Sequence, residues 1–214
     1  MVKRGIQEDY LSSLLLERNE DIQAIEKYAE ENNVPIMEQT GMQLLLQVLQ
    51  LHRPKSILEI GTAIGYSAIR MAEVTLAQIV TVERDEERIK IAESNINKKG
   101  MNDRIKIIKG DALEVEPEVS QYGPYDVLFI DAAKGQYERF FHLYEPLVSI
   151  GGVIISDNVL FKGLVSGESD IPSKRLEGMV KKLRSYNEER MADKRFSSMI
   201  YPVGDGVMVS IKKA

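Results

Sequence analysis

The sequence contains no cysteine and only two histidines, His52 and His142. The missing cysteines exclude disulfide bonds, iron–sulfur clusters and cysteine nucleophiles, and their absence is typical of a protein from a reducing cytosol. With so few histidines, a histidine-rich transition-metal site is a poor interpretation. His52 lies in a predicted connection between a helix and a strand, and His142 lies in a later helix. We interpret both as structural residues.

Long apolar runs are also missing, since no stretch of about 18 apolar residues occurs that would span a membrane. Residues 1–10 are charged and lack the apolar core of a signal peptide. We therefore expect a cytoplasmic protein without a membrane partner. At 214 residues the chain is long enough for a full hydrophobic core, and no linker or internal repeat divides it. We expect a single domain over residues 1–214, with a helical segment over 1–52 and an α/β core over 53–214.

The formal net charge of −5 is unevenly distributed along the chain. Residues 1–40 hold nine acidic and four basic side chains, so the remainder is balanced. Residues 174–195, called the basic segment below, hold eight Lys or Arg side chains against four acids. The negative net charge argues against unspecific coating of nucleic acid, but it permits a local basic face.

Hydrophobic periodicity predicts five strand–helix units followed by a hairpin. The predicted strands cover 56–60, 78–83, 104–109, 125–130 and 152–156, and the helices that follow them cover 66–74, 85–99, 112–118, 135–148 and 173–191. One or two helices over 6–31 and another over 39–51 precede them. Strands over 196–202 and 207–212 close the chain, joined by Gly204, Asp205 and Gly206. This order predicts an α/β fold with a seven-stranded, mostly parallel sheet, one antiparallel edge strand and helices on both faces.

The segment 57–67, Ile-Leu-Glu-Ile-Gly-Thr-Ala-Ile-Gly-Tyr-Ser, organises the chain. Its strand breaks at Gly61, turns through small residues to Gly65 and meets a helix. Such a turn forms a hollow at the carboxyl end of a sheet, where ligands of α/β proteins bind. Glu59 places a carboxylate at the end of an apolar strand, which suits a ligand with an ammonium group. The alternative is an ordinary strand–turn–helix with a chance Glu.

The glycine spacing in this segment separates two classes of enzyme. A dinucleotide site expects Gly-x-Gly-x-x-Gly, whereas this chain has Glu-x-Gly-x-x-x-Gly, which argues against a nicotinamide dehydrogenase. Glu83 ends the second strand, where α/β nucleoside sites place an acid to accept the ribose hydroxyls. After the third strand, Gly110, Asp111 and Ala112 are interpreted as adenine contacts, with a helix cap as the alternative for Asp111.

A second centre follows the fourth and fifth strands. Asp131, Asp157 and Asn158 supply two carboxylates and an amide oxygen, which are hard ligands that suit Mg²⁺ or Mn²⁺. The alternative is a turn acid plus an Asp-Asn loop cap. Lys134 follows Asp131 by three residues and is interpreted as a general base toward a hydroxyl that the metal also acidifies. Its alternative is a solvent-exposed lysine.

Two segments carry a family resemblance: 130–137, Ile-Asp-Ala-Ala-Lys-Gly-Gln-Tyr, and 151–163, Gly-Gly-Val-Ile-Ile-Ser-Asp-Asn-Val-Leu-Phe-Lys-Gly. With the Glu-x-Gly motif, they closely resemble the cation-dependent class I S-adenosylmethionine O-methyltransferases, which include the catechol and caffeoyl-coenzyme A enzymes. The resemblance implies a Rossmann-like fold, a homodimer, catalytic roles for Asp131 and Lys134, and a metal at Asp131, Asp157 and Asn158. It also implies cofactor contacts at seven residues: Met37, Glu59, Gly61, Ser67, Glu83, Ala112 and Asp131.

Within this family, the compact length and the amino-terminal segment look most like the bacterial tRNA 5-hydroxyuridine methyltransferases. These enzymes form 5-methoxyuridine at the wobble position, and the C5 hydroxyl and C4 carbonyl of their substrate are adjacent oxygens, as in a catechol. Phe161 and Lys162 stand where plant members usually carry Trp-Asn, which is compatible with a stacked base and a phosphate. O-methylation of a catechol or hydroxycinnamoyl-CoA-type molecule remains an alternative. A non-catalytic RNA-binding module is another, although the intact metal and base motifs argue against it.

Overall fold

The computed structural model describes residues 6–213 of the chain. Its α-helices are α1 (Ile6–Ser13), α2 (Glu20–Glu31), α3 (Gln39–His52), α4 (Tyr66–Val74), α5 (Glu86–Lys98), α6 (Glu116–Val119), α7 (Tyr137–Tyr144) and α8 (Lys174–Ala192). Its strands are β1 (Ser56–Ile60), β2 (Gln78–Glu83), β3 (Ile105–Lys109), β4 (Tyr125–Ile130), β5 (Val148–Ser156), β6 (Phe196–Tyr201) and β7 (Val207–Lys212). In this part of the chain no helix is both long and apolar enough to cross a bilayer.

The strands form one seven-stranded sheet in the order β3-β2-β1-β4-β5-β7-β6. The first five of these are parallel, and β7 runs antiparallel to both β5 and β6. The predicted fold class is confirmed, and the reversed strand lies one place inside the edge. The burial pattern explains this arrangement: residues 207–210 of β7 are buried, whereas β6 alternates between less and more exposed residues. A strand that is buried on both faces, such as β7, lies inside a sheet with a neighbouring strand on each side. A partly exposed strand, such as β6, can form the edge of the sheet.

The sheet reverses its direction of winding at β1, which pairs with β2 on one side and β4 on the other. Backbone hydrogen bonds continue beyond the ends of these strands. The N–H of Gly61 donates to Val82 O at 3.0 Å, and the N–H of Asp131 donates to Ile60 O at 3.0 Å. The N–H of Asp157 likewise donates to the last residue of β4 at 3.1 Å. The polar residues that follow the strands therefore lie at one edge of the sheet, beside the topological switch point.

Helices cover both faces of the sheet, and successive strand residues alternate between the two cores. Ile57 faces the core that α2, α3, α4 and α5 complete, whereas Leu58 faces the core that α7 and α8 complete. Both residues have no exposed surface. The burial of β1 on both faces accounts for its apolar residues Ile57, Leu58 and Ile60, with Glu59 as the exception.

Two predicted helix bounds are wrong. The helix predicted over 112–118 is only α6, because the carbonyl of Asp111 first accepts turn hydrogen bonds from the N–H groups of Glu114 (2.8 Å) and Val115 (3.1 Å). Pro117, which lacks an N–H group, then fits the first turn of α6. The helix predicted over 135–148 ends as α7 at Tyr144, since a 3-10 turn leads directly into β5.

Candidate active site

A cavity of about 410 Å³ opens at the carboxyl ends of the parallel strands. Six of the seven predicted cofactor contacts line it: Met37, Gly61, Ser67, Glu83, Ala112 and Asp131. The predicted base Lys134 and the predicted metal ligand Asn158 line the same cavity. Residues from widely separated parts of the sequence thus meet around one space, as the position of the switch point leads one to expect.

Glu59, the seventh predicted contact, lies behind the cavity wall and has no exposed surface. Its carboxylate accepts hydrogen bonds from the hydroxyl groups of Ser67 and Thr81, and Thr81 is its register partner on β2. Burial raises the pKa of Glu59 to about 7, and these two hydrogen bonds oppose the shift. Glu59 therefore bonds to Ser67, which lines the cavity, and direct contact of Glu59 with an ammonium group stays a prediction.

The turn between β1 and α4 depends on glycine. Gly61 has a φ of +107°, and a Cβ atom built there would lie 2.2 Å from the carbonyl oxygen of Asp131. The ends of β1 and β4 thus approach too closely for any side chain. Gly65, with a φ of +82°, sets the start of α4 and leaves Ser67 in its first turn beside the cavity.

The predicted metal ligands Asp131 and Asp157 lie close enough for their charges to interact, and Asp157 is 2% exposed. Burial raises the pKa of both carboxyl groups. The charge of Asp131 raises the pKa of Asp157 further, while Lys134 lowers that of Asp131. Asp157 Oδ2 is buried without a hydrogen-bond partner. A buried carboxylate pair with an unpartnered oxygen fits a divalent cation, which would supply the missing positive charge.

No cluster of three or more His, Cys, Asp or Glu side chains able to hold a metal occurs within residues 6–213. The predicted set contains only two such side chains, because its third donor is the amide oxygen of Asn158. The histidines lie elsewhere: His142 pairs with Glu138 at 2.5 Å, and His52 contacts the carbonyl oxygen of Asp126 at 3.3 Å. Both contacts agree with the structural role expected for these residues.

Three residues of the loop 158–162 have a positive φ: Asn158 (57°), Phe161 (35°) and Lys162 (55°). Residues other than glycine adopt this conformation rarely, and such strain persists only where neighbouring contacts impose it. Here the β6–β7 turn provides them. The carbonyl oxygen of Asp205 accepts from the N–H of Phe161 at 3.0 Å, and its Oδ1 accepts from the N–H of Lys162 at 3.1 Å. The hairpin turn thereby shapes the loop that carries Asn158.

The comparisons with known proteins agree with this geometry. A model of an O-methyltransferase family matches residues 10–213. A catechol O-methyltransferase of Niastella koreensis is 33% identical over 166 residues, which is 75% of each chain. A caffeoyl-CoA O-methyltransferase of Medicago sativa is 32% identical over 177 residues, 78% of this chain and 70% of the relative. The chain belongs to the O-methyltransferase family.

Solved structures of the family indicate its cofactor. An O-methyltransferase from Bacillus cereus, solved in complex with SAH, superposes with a TM-score of 0.82 and 29% identity, covering 96% of this chain and 97% of that one. The present protein is therefore an S-adenosylmethionine-dependent O-methyltransferase of the caffeoyl-CoA and catechol type. The resemblance to class I O-methyltransferases of the catechol and caffeoyl-CoA kind is confirmed, whereas the cation dependence and the tRNA substrate stay predictions.

In this O-methyltransferase, seven of the eight basic residues of the basic segment are exposed, but three of its arginines contact other residues of the chain. Arg184 donates to the carbonyl oxygen of Val165 at 2.8 Å, and Arg190 is 5% exposed and pairs with Glu138 at 2.9 Å. Arg195 pairs with Asp193 at 2.8 Å. Of the eight basic residues, all of which the structure describes, none lines the 410 Å³ cavity. Sequence periodicity could not separate the buried Arg190 from the exposed lysines, because both kinds of side chain alternate with apolar ones along α8.

Several residues near the cavity were not expected from the sequence. Arg84 and Arg88 line it, and Arg84 pairs with Asp111 at 3.0 Å. Buried Tyr137 donates its hydroxyl hydrogen to the carbonyl oxygen of Asp157 at 2.9 Å, which supports the end of β5. The position of Tyr137 at the start of the helix after the Asp131 motif was visible in the sequence, but its partner was not.

Glu83 gives a first prediction for the cofactor site. Its carboxylate accepts from the N–H groups of Ala63 (2.9 Å), Arg84 (2.9 Å) and Asp85 (3.0 Å), which fixes its position at the cavity. We expect Glu83→Ala to weaken S-adenosylmethionine binding by about 1–3 kcal/mol through loss of the ribose contact. Calorimetric titration measures the effect, with Glu87→Ala as the control because that carboxylate is exposed on α5. Equal affinity of Glu83→Ala and wild type would contradict the assignment.

Proposed function

We propose that this O-methyltransferase depends on Mg²⁺ and methylates 5-hydroxyuridine at the wobble position of tRNA to give 5-methoxyuridine. The observation that supports the metal dependence is the pair of interacting carboxylates Asp131 and Asp157, of which Asp157 is buried with an unpartnered oxygen, next to Asn158. When bound, S-adenosylmethionine supplies an electrophilic methyl group, and the metal supplies positive charge for two adjacent acceptor oxygens.

The protein's own groups then have separate tasks. Asp131, Asp157 and Asn158 would hold the metal, and Lys134 Nζ, in its neutral form, would take the proton of the acceptor hydroxyl. Lys134 lines the cavity, and it is close enough to Asp131 to lower the pKa of that carboxyl group. The cavity walls would hold the cofactor and the acceptor close together, and this positioning accounts for most of the expected acceleration.

An aromatic ring and two cations beside the cavity support a nucleic-acid acceptor. The ring centroid of Phe161 lies 5.3 Å from Lys134 Nζ and 5.7 Å from Lys162 Nζ. Lys182 Nζ, on α8, lies 3.4 Å from the carbonyl oxygen of Gly135, the residue after Lys134. An aromatic ring with an exposed cation beside it suits a stacked base next to a phosphate. The side chains of Lys162 and Lys182 are both exposed to solvent, where a phosphate can approach them.

The experiment that tests the proposal compares two acceptors. Hypomodified tRNA containing 5-hydroxyuridine and a free catechol are each incubated with enzyme, Mg²⁺ and labelled S-adenosylmethionine, and nucleosides are analysed by mass spectrometry. We expect 5-methoxyuridine to form at far lower acceptor concentration than methylated catechol. Methylation of the catechol alone would contradict the tRNA assignment and favour the small-molecule activity that the names of the relatives indicate.

We predict that Lys162→Gln and Lys182→Gln each weaken tRNA methylation and leave catechol methylation nearly unchanged, because each loses a phosphate contact. Every lost contact should also make the salt dependence shallower, by about 0.7 units of log–log slope for a single strand and about 0.9 for a duplex. Lys98→Gln serves as the control, since this exposed lysine ends α5 at the opposite edge of the sheet. Arg184 is left intact because it supports Val165. Unchanged tRNA kinetics across a salt series would show that this face does not bind RNA.

The predicted homodimer, the cytoplasmic location and the single-domain organisation stay predictions.

A further inference from the structure

The buried face of α2 carries one charged residue among apolar ones. Ile22, Ile25 and Ala29 are 0%, 6% and 2% exposed and belong to the core that α4 shares. Glu26 lies on the same face, one helical turn from Ile22, and its side chain is only 14% exposed. A carboxylate in such a position is unfavourable unless partners satisfy it.

Glu26 has a partner for each of its oxygens. Tyr66 donates its hydroxyl hydrogen to Oε1 at 2.8 Å. Arg18, which precedes α2, donates from Nη2 to Oε2 at 3.0 Å and from Nε to both oxygens at 3.2 Å. The carboxylate thus joins the amino-terminal segment to the first residue of α4, 40 positions away in the sequence.

Tyr66 connects this carboxylate to the cavity. It lies between Gly65, which ends the glycine turn, and Ser67, and it is 2% exposed while lining the cavity. Burial raises the pKa of Tyr66, and the neighbouring Glu26 carboxylate raises it further, so the phenol remains protonated and continues to donate. The ring is therefore fixed at its hydroxyl end by α2 and at its backbone end by the turn.

We propose that Glu26 is a positioning residue for the cofactor, which holds Tyr66 and the first turn of α4 in the arrangement that binds S-adenosylmethionine. The packing of α2 on the core is thereby coupled to cofactor affinity. This inference rests on the assignment of the 410 Å³ cavity to the cofactor. It does not depend on the metal or on the acceptor.

Four variants test the proposal by calorimetric titration with S-adenosylmethionine, alongside the KM for the cofactor and kcat. We expect Glu26→Ala and Tyr66→Phe each to weaken binding roughly tenfold, as loss of a hydrogen bond to a charged group implies. KM should rise by the same factor, with kcat at saturating cofactor within about twofold of wild type. Glu26→Gln keeps an acceptor for the Tyr66 hydroxyl and should restore most of the affinity. Glu31→Ala is the matched control, because this carboxylate on α2 is 62% exposed.

The double variant Glu26→Ala with Tyr66→Phe should bind S-adenosylmethionine no more weakly than either single variant, because each change removes the same Tyr66–Glu26 hydrogen bond. Additive losses would overturn the proposal. It would equally be overturned if Glu26→Ala lowered Tm but bound the cofactor like wild type at temperatures where it is folded. Tyr66→Phe keeps the ring and carries the test alone if Glu26→Ala does not fold. Absence of cofactor binding by wild type would refute the cavity assignment, and this proposal with it.

Discussion

Replacement of Asp157 by alanine is expected to abolish methyl transfer while leaving S-adenosylmethionine binding nearly intact. The change removes one of the two carboxylates that we propose as metal ligands, and a bound metal contributes several kcal/mol to stabilising charge in the transition state. A loss of about 4 kcal/mol corresponds to a decrease in turnover of about a thousandfold. Asp157 does not line the cavity, so the cofactor loses no direct contact. Asp131→Ala should also abolish turnover. Because Asp131 lines the cavity, its loss should lower the affinity for the cofactor as well.

Three measurements separate metal loss from general damage. Chelation should abolish wild-type turnover, and added Mg²⁺ should restore it in wild type but not in Asp157→Ala. Mg²⁺ should also raise the Tm of wild type but not that of Asp157→Ala, because a ligand stabilises only a protein that binds it. Asp103→Ala, at an exposed acid before β3, should behave like wild type in every assay. Full wild-type activity in excess chelator would refute the metal dependence.

The second large effect is expected at Gly61. A Cβ atom there would lie 2.2 Å from the backbone carbonyl oxygen of Asp131, and the φ of +107° is strained for any other residue. We expect Gly61→Ala to lower the free energy of unfolding by about 2–5 kcal/mol. It should also remove detectable cofactor binding, since the ends of β1 and β4 must separate to admit the methyl group. Chemical denaturation and calorimetry measure the two effects.

Gly178→Ala is the matched control for this prediction. Gly178 lies within α8, and a Cβ atom there would meet nothing within 4 Å. Alanine stabilises an exposed helix interior relative to glycine, so this variant should gain about 0.5–1 kcal/mol. If the Gly61→Ala variant had the same free energy of unfolding and the same cofactor affinity as wild type, the close approach of β1 and β4 would be refuted.

The strands and the acids that follow them could be predicted because both depend on local pattern. Apolar runs marked β1, β2 and β4 with the bounds that the structure has, and polar residues directly after them identified the edge where the cavity lies. Helix bounds were less predictable where a turn competed with the helix. Asp111 illustrates this, since its turn hydrogen bonds delay α6 although the sequence after it suits a helix.

Long-range partners of charged residues were not predictable. The sequence permitted a local basic face along the basic segment, but it could not show that Arg184 bonds to the carbonyl oxygen of Val165 or that Arg190 pairs with Glu138. Glu26 likewise reads as an ordinary surface acid of an amphipathic helix. Which partner a charged side chain contacts depends on how each helix is oriented about its axis and how it packs. Hydrophobic periodicity predicts that orientation only to within about one residue.

By itself, the sequence determined the order of strands and helices, the glycine turn and the set of polar residues available at the carboxyl edge of the sheet. These features follow from side-chain periodicity and from the backbone freedom of glycine, which are local properties. Only the tertiary structure decided that Glu59 lies behind Ser67, that Asp205 shapes the loop of Asn158 and that Glu26 holds Tyr66. Each of these contacts joins elements that are distant along the chain, so each depends on burial and packing that no local pattern records.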